Sequence, residues 1–167
     1  EVRQELVGTI EHHAGWLEGL VSDLLESTRL EAGQIMLTRQ PTDLRLIVER
    51  TVRAMAPLIQ QRGQHLETAL PEAPLAADVD RRRMEQVLTN LVANACKFTP
   101  KGGHIWVALA RNNGELIVSV ADDGEGIPAE HLPHLFQRFY TVPGGTARTG
   151  LGLGLYIARA MVELHGG

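Results

Sequence analysis

The stretch Glu85–Pro100 (Glu-Gln-Val-Leu-Thr-Asn-Leu-Val-Ala-Asn-Ala-Cys-Lys-Phe-Thr-Pro) constrains this chain more than any other. At about 3.6 residues per turn, its spacing places Asn90, Asn94 and Lys97 on one helical stripe. Met84, Leu88, Leu91, Val92 and Ala95 fall on the other side, so the helix must lay an apolar face on a core. A solvated face is the commonplace explanation of a polar stripe, and such faces carry Glu, Lys, Arg or Gln. Asparagine is a poor helix former, and two of them in mid-helix point to a task for their carboxamide oxygens, such as holding a hard cation.

The surrounding elements follow from periodicity and punctuation. Leu6, Ile10, His13, Leu17, Leu20 and Leu24 form a heptad seam, which predicts one long helix that packs in a coiled coil or bundle and fades at Glu31-Ala32-Gly33. A short strand is expected over 34–39. A helix over about 43–62 follows, capped by Thr42 or Asp43 and bent or interrupted at Pro57. A strand is expected at Leu66–Leu70, then a proline-containing link, Pro71–Pro74. Asp80 is the expected N-cap of the organising helix, and Pro100 stops it near Phe98. Two alternating runs, Ile105–Arg111 and Glu115–Asp122, flank Asn112-Asn113-Gly114 and predict a hairpin. After a short segment ending in Phe136, Phe139 and Tyr140 comes a mobile loop, 141–149, and then a helix to about Leu164.

Composition narrows the function. A net charge of −4 gives no general attraction to nucleic acid or to an acidic membrane surface. Cys96 is the sole cysteine and reads as a small core residue, so no internal disulfide forms, which fits a reducing compartment. His131 and His134 lack a third ligand for zinc. No apolar run approaches the roughly 20 residues of a membrane span, and no signal-peptide core opens the chain. The chain reads as a cytoplasmic piece of a longer protein.

Two glycine clusters supply a partner for the asparagine stripe. Asp122-Asp-Gly124-Glu-Gly126-Ile127 follows a strand, and Gly150-Leu151-Gly152-Leu153-Gly154 opens a helix. Glycines at a helix start let backbone N–H groups approach an anion, aided by the helix dipole. The P-loop and the Rossmann fingerprint are both absent, so a different phosphate-binding geometry is required. Asp122 ends an apolar strand, where an ionised carboxylate needs a donor to offset desolvation. Phe98 either lines a ligand or belongs to the core, and Leu135, Phe136 and Phe139 read as the hydrophobic hinge of a lid.

In combination these segments resemble the boxes of bacterial sensor histidine kinases. Asn90-Leu-Val-Ala-Asn94-Ala-Cys-Lys97-Phe98-Thr-Pro is similar to their N box and Asp122–Ile127 to the first glycine box. Phe136-Gln-Arg-Phe-Tyr140 is similar to the F box and Gly150–Leu155 to the second glycine box. Ser27-Thr-Arg-Leu-Glu-Ala-Gly33 resembles the end of the second dimerisation helix. The resemblance implies a two-layer α/β sandwich of Bergerat type, with helices on one face of a mixed sheet, preceded by a long helix. Residues 1–33 would be part of the dimerisation hairpin and 34–167 the ATP-binding domain.

It also implies ligands of ATP and Mg²⁺. Asn94 would be the principal metal ligand, with Asn90 assisting at metal and phosphates, and Lys97 would meet phosphate. Phe98, Asp122, Gly124, Gly126, Ile127 and Tyr140 would surround the nucleotide, with Asp122 accepting from the adenine amino group. Gly150, Leu151, Gly152, Leu153 and Gly154 would close over the phosphates. Arg138 and Arg148 are candidates for the γ-phosphate. Thr141 stands where many relatives carry arginine.

The same fold serves ATP-hydrolysing proteins that carry a glutamate base four residues before the metal asparagine. Here that residue is Asn90, and a neutral carboxamide takes no proton from water at pH 7. The γ-phosphoryl group is then available to a better nucleophile such as an imidazole. No histidine here sits in a His-Glu-Leu-Arg-Thr-Pro type of box, so the phosphoacceptor is expected on a preceding helix, and one or two strands are expected to follow Gly167. The expected partners are a response-regulator receiver domain and a second copy joined through the N-terminal helix. The competing readings are an anti-sigma-factor-type serine kinase and a degenerate signalling module.

Overall fold

The computed structural model describes residues 2–143 and 150–167, with side chains described from His13 onward, Trp16 excepted. Chain order is helix α1 (Val2–Glu31), strand β1 (Gln40–Asp43), helix α2 (Leu44–Gln61), strands β2 (His65–Ala69) and β3 (Ala76–Val79), and helix α3 (Arg81–Phe98). Strands β4 (His104–Asn112) and β5 (Glu115–Asp122) follow, then a 3₁₀ helix (Ala129–His134) and helix α4 (Gly154–Leu164). The mixed architecture matches the expectation. Strand β4 pairs parallel with β2 (His65 opposite His104) and antiparallel with β5 (Ile105 opposite Asp122). Strands β1 and β3 form a separate antiparallel ribbon.

Alternation along β4 decides which face is covered. Ile105, Val107 and Leu109 are buried, and Ile105 and Val107 pack with Ile47, Val48 and Ile59 of α2 and with Leu88, Val92, Ala95 and Cys96 of α3. Each such aliphatic side chain removed from water contributes roughly 1.5–3 kcal/mol. The other face of the sheet leaves Trp106 and Ile117 exposed. A second apolar cluster joins Val87 of α3 to Leu153, Ile157, Ala158 and Met161 of α4, with Leu30 and Ile35 packed at its margin.

Caps set the helix starts. Asp43 Oδ1 accepts from Arg45 N and also from Leu75 N, both at 3.1 Å, joining α2 to the segment before β3. Asp80 Oδ1 accepts from Arg83 N at 3.2 Å, and its Oδ2 accepts from Thr38 N at 2.9 Å. His165 Nε2 accepts from Asp80 N at 3.0 Å, which fixes the end of α4 beside the start of α3. Asn113 and Gly114 both take positive φ (49° and 90°), as a tight hairpin turn demands. Gly33 closes α1 with φ 64°.

Two local expectations need correction, the strand at 34–39 and the interruption at Pro57. Residues 34–39 form no strand, and the pairing begins at Gln40, where β3 supplies the partner. Strand β3, Ala76–Val79, carried no sequence signal of its own. Helix α2 continues through Pro57 to Gln61, because Ile47 and Val48 before the proline and Ile59 after it pack in one core with Ile105 and Val107 of the sheet. In the α1 seam, whose heptad spacing assigns it to packing on partner helices, Leu17 and Leu24 are exposed within this chain and Leu20 is half-buried, while the side chains of Leu6 and Ile10 lie outside the described residues. Among the described residues, no helix is long and apolar enough to cross a membrane.

Candidate functional site

Helix α3 presents Asn90, Asn94 and Lys97 half-buried, between its buried face and solvent. Asn90 Nδ2 donates to Gly154 O at 3.1 Å, so its amide nitrogen is engaged and its Oδ1 is left as an acceptor. Among the described residues no hydrogen bond holds the Asn94 carboxamide. Burial pushes the Lys97 ammonium below its ordinary pKa, and its Nζ lies 4.9 Å from the Phe98 ring centroid. Phe98 is 39% exposed, which removes the core reading of that ring.

These donors fit a hard cation that shares its shell with phosphate oxygens. Two carboxamide oxygens one helical turn apart match the preference of Mg²⁺ for oxygen and for few protein ligands. Among the described residues no group of three or more His, Cys, Asp or Glu side chains could hold a metal. The oxygens of Asn94 and Asn90 could hold a cation there, with ligand oxygens completing the shell.

The first glycine loop lies against the end of α3. A Cβ on Gly124 would fall 2.6 Å from Phe98 O and 2.7 Å from Asp122 Oδ1, so only glycine lets the loop approach so closely. Asp122 is exposed at the end of β5, and its Oδ1 accepts from Gly124 N at 2.9 Å. The desolvation argument for Asp122 therefore falls away, while the required donor is present. Gly126 has φ 71°, and Ile127 is 48% exposed beside it. Gln64, buried at the start of β2, donates to Cys96 O (2.9 Å) and Thr99 O (2.5 Å), satisfying carbonyls at the end of α3.

The F box and the second glycine box meet at Gly152. With φ 68°, its Cβ would fall 2.8 Å from the carbonyl carbons of Phe139 and Tyr140 and closer still to the Tyr140 oxygen. Tyr140 is pinned in turn by a 2.7 Å hydrogen bond between its hydroxyl and His131 Nδ1. Phe139 has φ 62°, a strained value for a non-glycine residue. Gly150 has φ 129° and Leu151 is exposed, but Leu153 is buried among Val87, Ile157 and Met161. Its side chain is core, which leaves its backbone alone for any ligand.

Asn90, Asn94, Lys97, Phe98, Asp122, Gly124 and Gly154 are thus brought around the two edges of α3. Arg138 is not brought there. Its Nη1 donates to Glu31 Oε1 of α1 at 2.5 Å, and its guanidinium lies 4.6 Å from the Phe139 ring centroid. Arg148 lies outside the described residues. Three contributors escaped the sequence reading: Gln64, the pair Asp123–His104, and Glu31. Asp123 lies inside the first glycine cluster, but no local signal marks its pairing with His104, and Gln64 and Glu31 likewise act through partners distant in sequence.

Residues 79–167 match the family model "Histidine kinase-, DNA gyrase B-, and HSP90-like ATPase". Histidine protein kinase DivJ of Caulobacter vibrioides is 37% identical over 164 residues, covering 98% of this chain and 28% of DivJ. Full-length ShkA in complex with AMPPNP superposes with a TM-score of 0.81 at 27% identity, covering 99% of this chain and 35% of that one. Histidine kinase ThkA in complex with the response regulator TrrA gives 0.76 at 25% identity, covering 100% and 46%. The chain therefore spans less than half the length of each of these proteins.

Proposed function

We propose, from the premise that this chain belongs to the family of histidine kinase-, DNA gyrase B- and HSP90-like ATPases, that it is the ATP-binding catalytic part of a two-component sensor histidine kinase. The observation that carries the reading is Asn90. Where a hydrolase of this fold needs a carboxylate base, a neutral carboxamide stands, tied by Nδ2 to Gly154 O. No proton leaves water through this residue, and bound ATP is preserved for another nucleophile.

In this reading Asn94 and Asn90 hold Mg²⁺, which when bound neutralises phosphate charge. Lys97, partly desolvated beside Phe98, meets phosphate, and its ammonium is worth more there than in open water. Asp122, its Oδ1 fixed by Gly124 N, accepts from the adenine amino group with its remaining lone pairs. Gly124 and Gly126 admit the base, Phe98, Ile127 and Tyr140 border it, and the Gly150–Gly154 segment closes over the phosphates. Arg148 is assigned to the γ-phosphate. Arg138 joins it only after leaving Glu31.

The reaction moves the γ-phosphoryl group from ATP to an imidazole nitrogen of the longer protein. The bond between the β-γ bridging oxygen and the γ-phosphorus breaks, a P–N bond forms, and ADP leaves. Transfer then proceeds to an aspartate of a response-regulator receiver domain, the kind of partner that ThkA holds in its complex. Residues 1–33 are assigned to the dimerisation hairpin and 34–167 to the ATP-binding unit, in a cytoplasmic part of the protein. The α1 seam, in which Leu17 and Leu24 are exposed, is the surface on which a second copy packs.

Incubation with γ-labelled ATP tests the assignment. Acid-labile, base-stable label on the full-length protein, and none on residues 1–167 alone, is the expected outcome. Stable label on any of the seven histidines of this chain contradicts it. Acid-stable label on a serine of a partner points to the serine-kinase alternative.

A further inference from the structure

Asp123 follows the expected adenine acceptor directly and lies outside the roles assigned so far. Its side chain is 39% exposed, yet it makes three contacts with one residue. Oδ1 accepts from His104 N at 2.8 Å, the Asp123 N–H donates to His104 O at 3.2 Å, and Oδ2 lies 3.3 Å from His104 Nδ1. Together they carry the β4–β5 ladder one step beyond its last pair, Ile105 opposite Asp122. The His104 ring is itself held, stacked 4.9 Å from His65 and 5.6 Å from Trp106.

Space has been kept for this clasp. A Cβ on Gly103 would fall 2.5 Å from Asp123 Oδ1 and 2.7 Å from Thr99 Cγ2. Gly103 is not in the left-handed region, so room, and not backbone conformation, is what requires glycine there. On the far side, Gly124 presses on Phe98 O, and Gly126 sits at φ 71°. Between these glycines the loop has few side chains to fix it, and glycine loses the most conformational freedom on ordering. Asp123 is the side chain of the loop tied to the sheet.

We propose that Asp123, seated in the space left by Gly103 and bonded to the His104 main chain, is a positioning residue that aims Asp122 at the adenine and so sets nucleotide selectivity. The backbone donor of His104 holds the Asp123 carboxyl below the usual carboxylate range, so the clasp is ionised at neutral pH. Such a charge-assisted bond is shorter and stronger than a neutral one. With the clasp in place, Asp122 keeps the rotamer in which Gly124 N occupies one oxygen and the other is open to a donor.

The proposal rests on Asp122 reading adenine, and its test separates the two. Affinities for ATP and GTP are measured by calorimetry on the chain and on variants. Asp123→Ala and Gly103→Ala are each expected to weaken ATP about tenfold, and to lower the ATP-over-GTP preference by about the same factor, because a charge-assisted bond is lost at the base-reading loop alone. Asp123→Asn keeps an acceptor for His104 N and is expected to restore most of that preference. Amide exchange over 124–126 in the nucleotide-free chain is expected to quicken in Asp123→Ala. If Asp122→Asn leaves the preference unchanged, the underlying reading of Asp122 fails. If Asp122→Asn lowers it while Asp123→Ala and Gly103→Ala do not, the positioning role is overturned. An equal fall for ATP and GTP also overturns it, since that marks general loosening.

Discussion

Asn90 Nδ2 donates to Gly154 O at 3.1 Å, so a residue of the polar stripe on α3 also fixes the first turn of α4. This single bond joins the proposed metal stripe to the segment proposed to close over phosphate. Asn90→Ala should lower stability by about 1 kcal/mol, the usual worth of one such bond, and quicken amide exchange at the start of α4. Denaturant titration and hydrogen exchange check both. An unchanged exchange rate at residues 154–158 would show that the bond does not hold the turn.

Gly152 combines a left-handed backbone with no room for a side chain. In Gly152→Ala the new methyl would meet the main chain of Phe139 and Tyr140, which cannot swing aside as a flexible side chain would. The strained backbone alone should cost roughly 1–3 kcal/mol. A lower denaturation midpoint with an unchanged slope is expected. Retention of the wild-type midpoint would mean that the F box and the second glycine box are not in contact.

Among the described residues, helix α1 is tied to the rest of the chain by two ion pairs of unequal depth. Glu26, 9% exposed, meets both Arg83 and Gln86 of α3, whereas the Glu31 side chain is 48% exposed where it meets Arg138. Removing Glu26 leaves a partly buried guanidinium without its carboxylate. Glu26→Ala should therefore cost about 2–3 kcal/mol, and Glu31→Ala less than about 1 kcal/mol because solvent screens its pair. Equal losses would contradict this ranking. Loss of amide protection over residues 20–31 in Glu26→Ala would locate the effect.

Acid should weaken the fold through Asp80. Burial raises its carboxyl pKa, but the N–H groups of Thr38 and Arg83 and the Arg83 charge outweigh that and hold it below the ordinary value of about 3.9. The folded state thus favours the carboxylate. Its contribution is complete above the unfolded pKa and is lost as pH falls through that value toward the lower folded one. Asp43, lowered chiefly by its hydrogen bond from Arg45, acts with the same sign. Thermal denaturation between about pH 5 and pH 2.5 should fall less steeply for Asp80→Asn than for wild type, a window set by the lowered aspartates. Parallel slopes would remove Asp80 from the account.

Much of the site could be read locally. The 90, 94, 97 spacing, the Asp80 cap, the Asn112-Asn113-Gly114 turn and the glycine clusters each follow from residues within a turn or two of each other. What escaped depends on distant partners. Arg138 finds Glu31 across 107 positions, and Thr38 finds Asp80 across 42. Strand β3 exists because β1 lies beside it, since Ala76-Ala77-Asp78-Val79 has no pattern that would specify a strand. Pro57 failed to end α2 because tertiary burial of Ile47, Val48 and Ile59 outweighs a local penalty. Asp122 looked buried from its apolar neighbours, yet the strand ends at the rim, where solvent reaches it.

The central claim is that Asn94 holds the cation that brings ATP to this helix. Its carboxamide is half-buried and makes no hydrogen bond among the described residues, so replacing it should disturb the fold little. Calorimetric titration of a non-hydrolysable ATP analogue, with Mg²⁺ and with chelator, is the most direct measurement. Wild type should bind more tightly with Mg²⁺. Asn94→Ala and Asn94→Asp should each lose about tenfold or more of the affinity for the magnesium complex, equivalent to about 1.4 kcal/mol, at an unchanged melting temperature. Affinity for the magnesium complex that survives both substitutions unchanged would contradict the account.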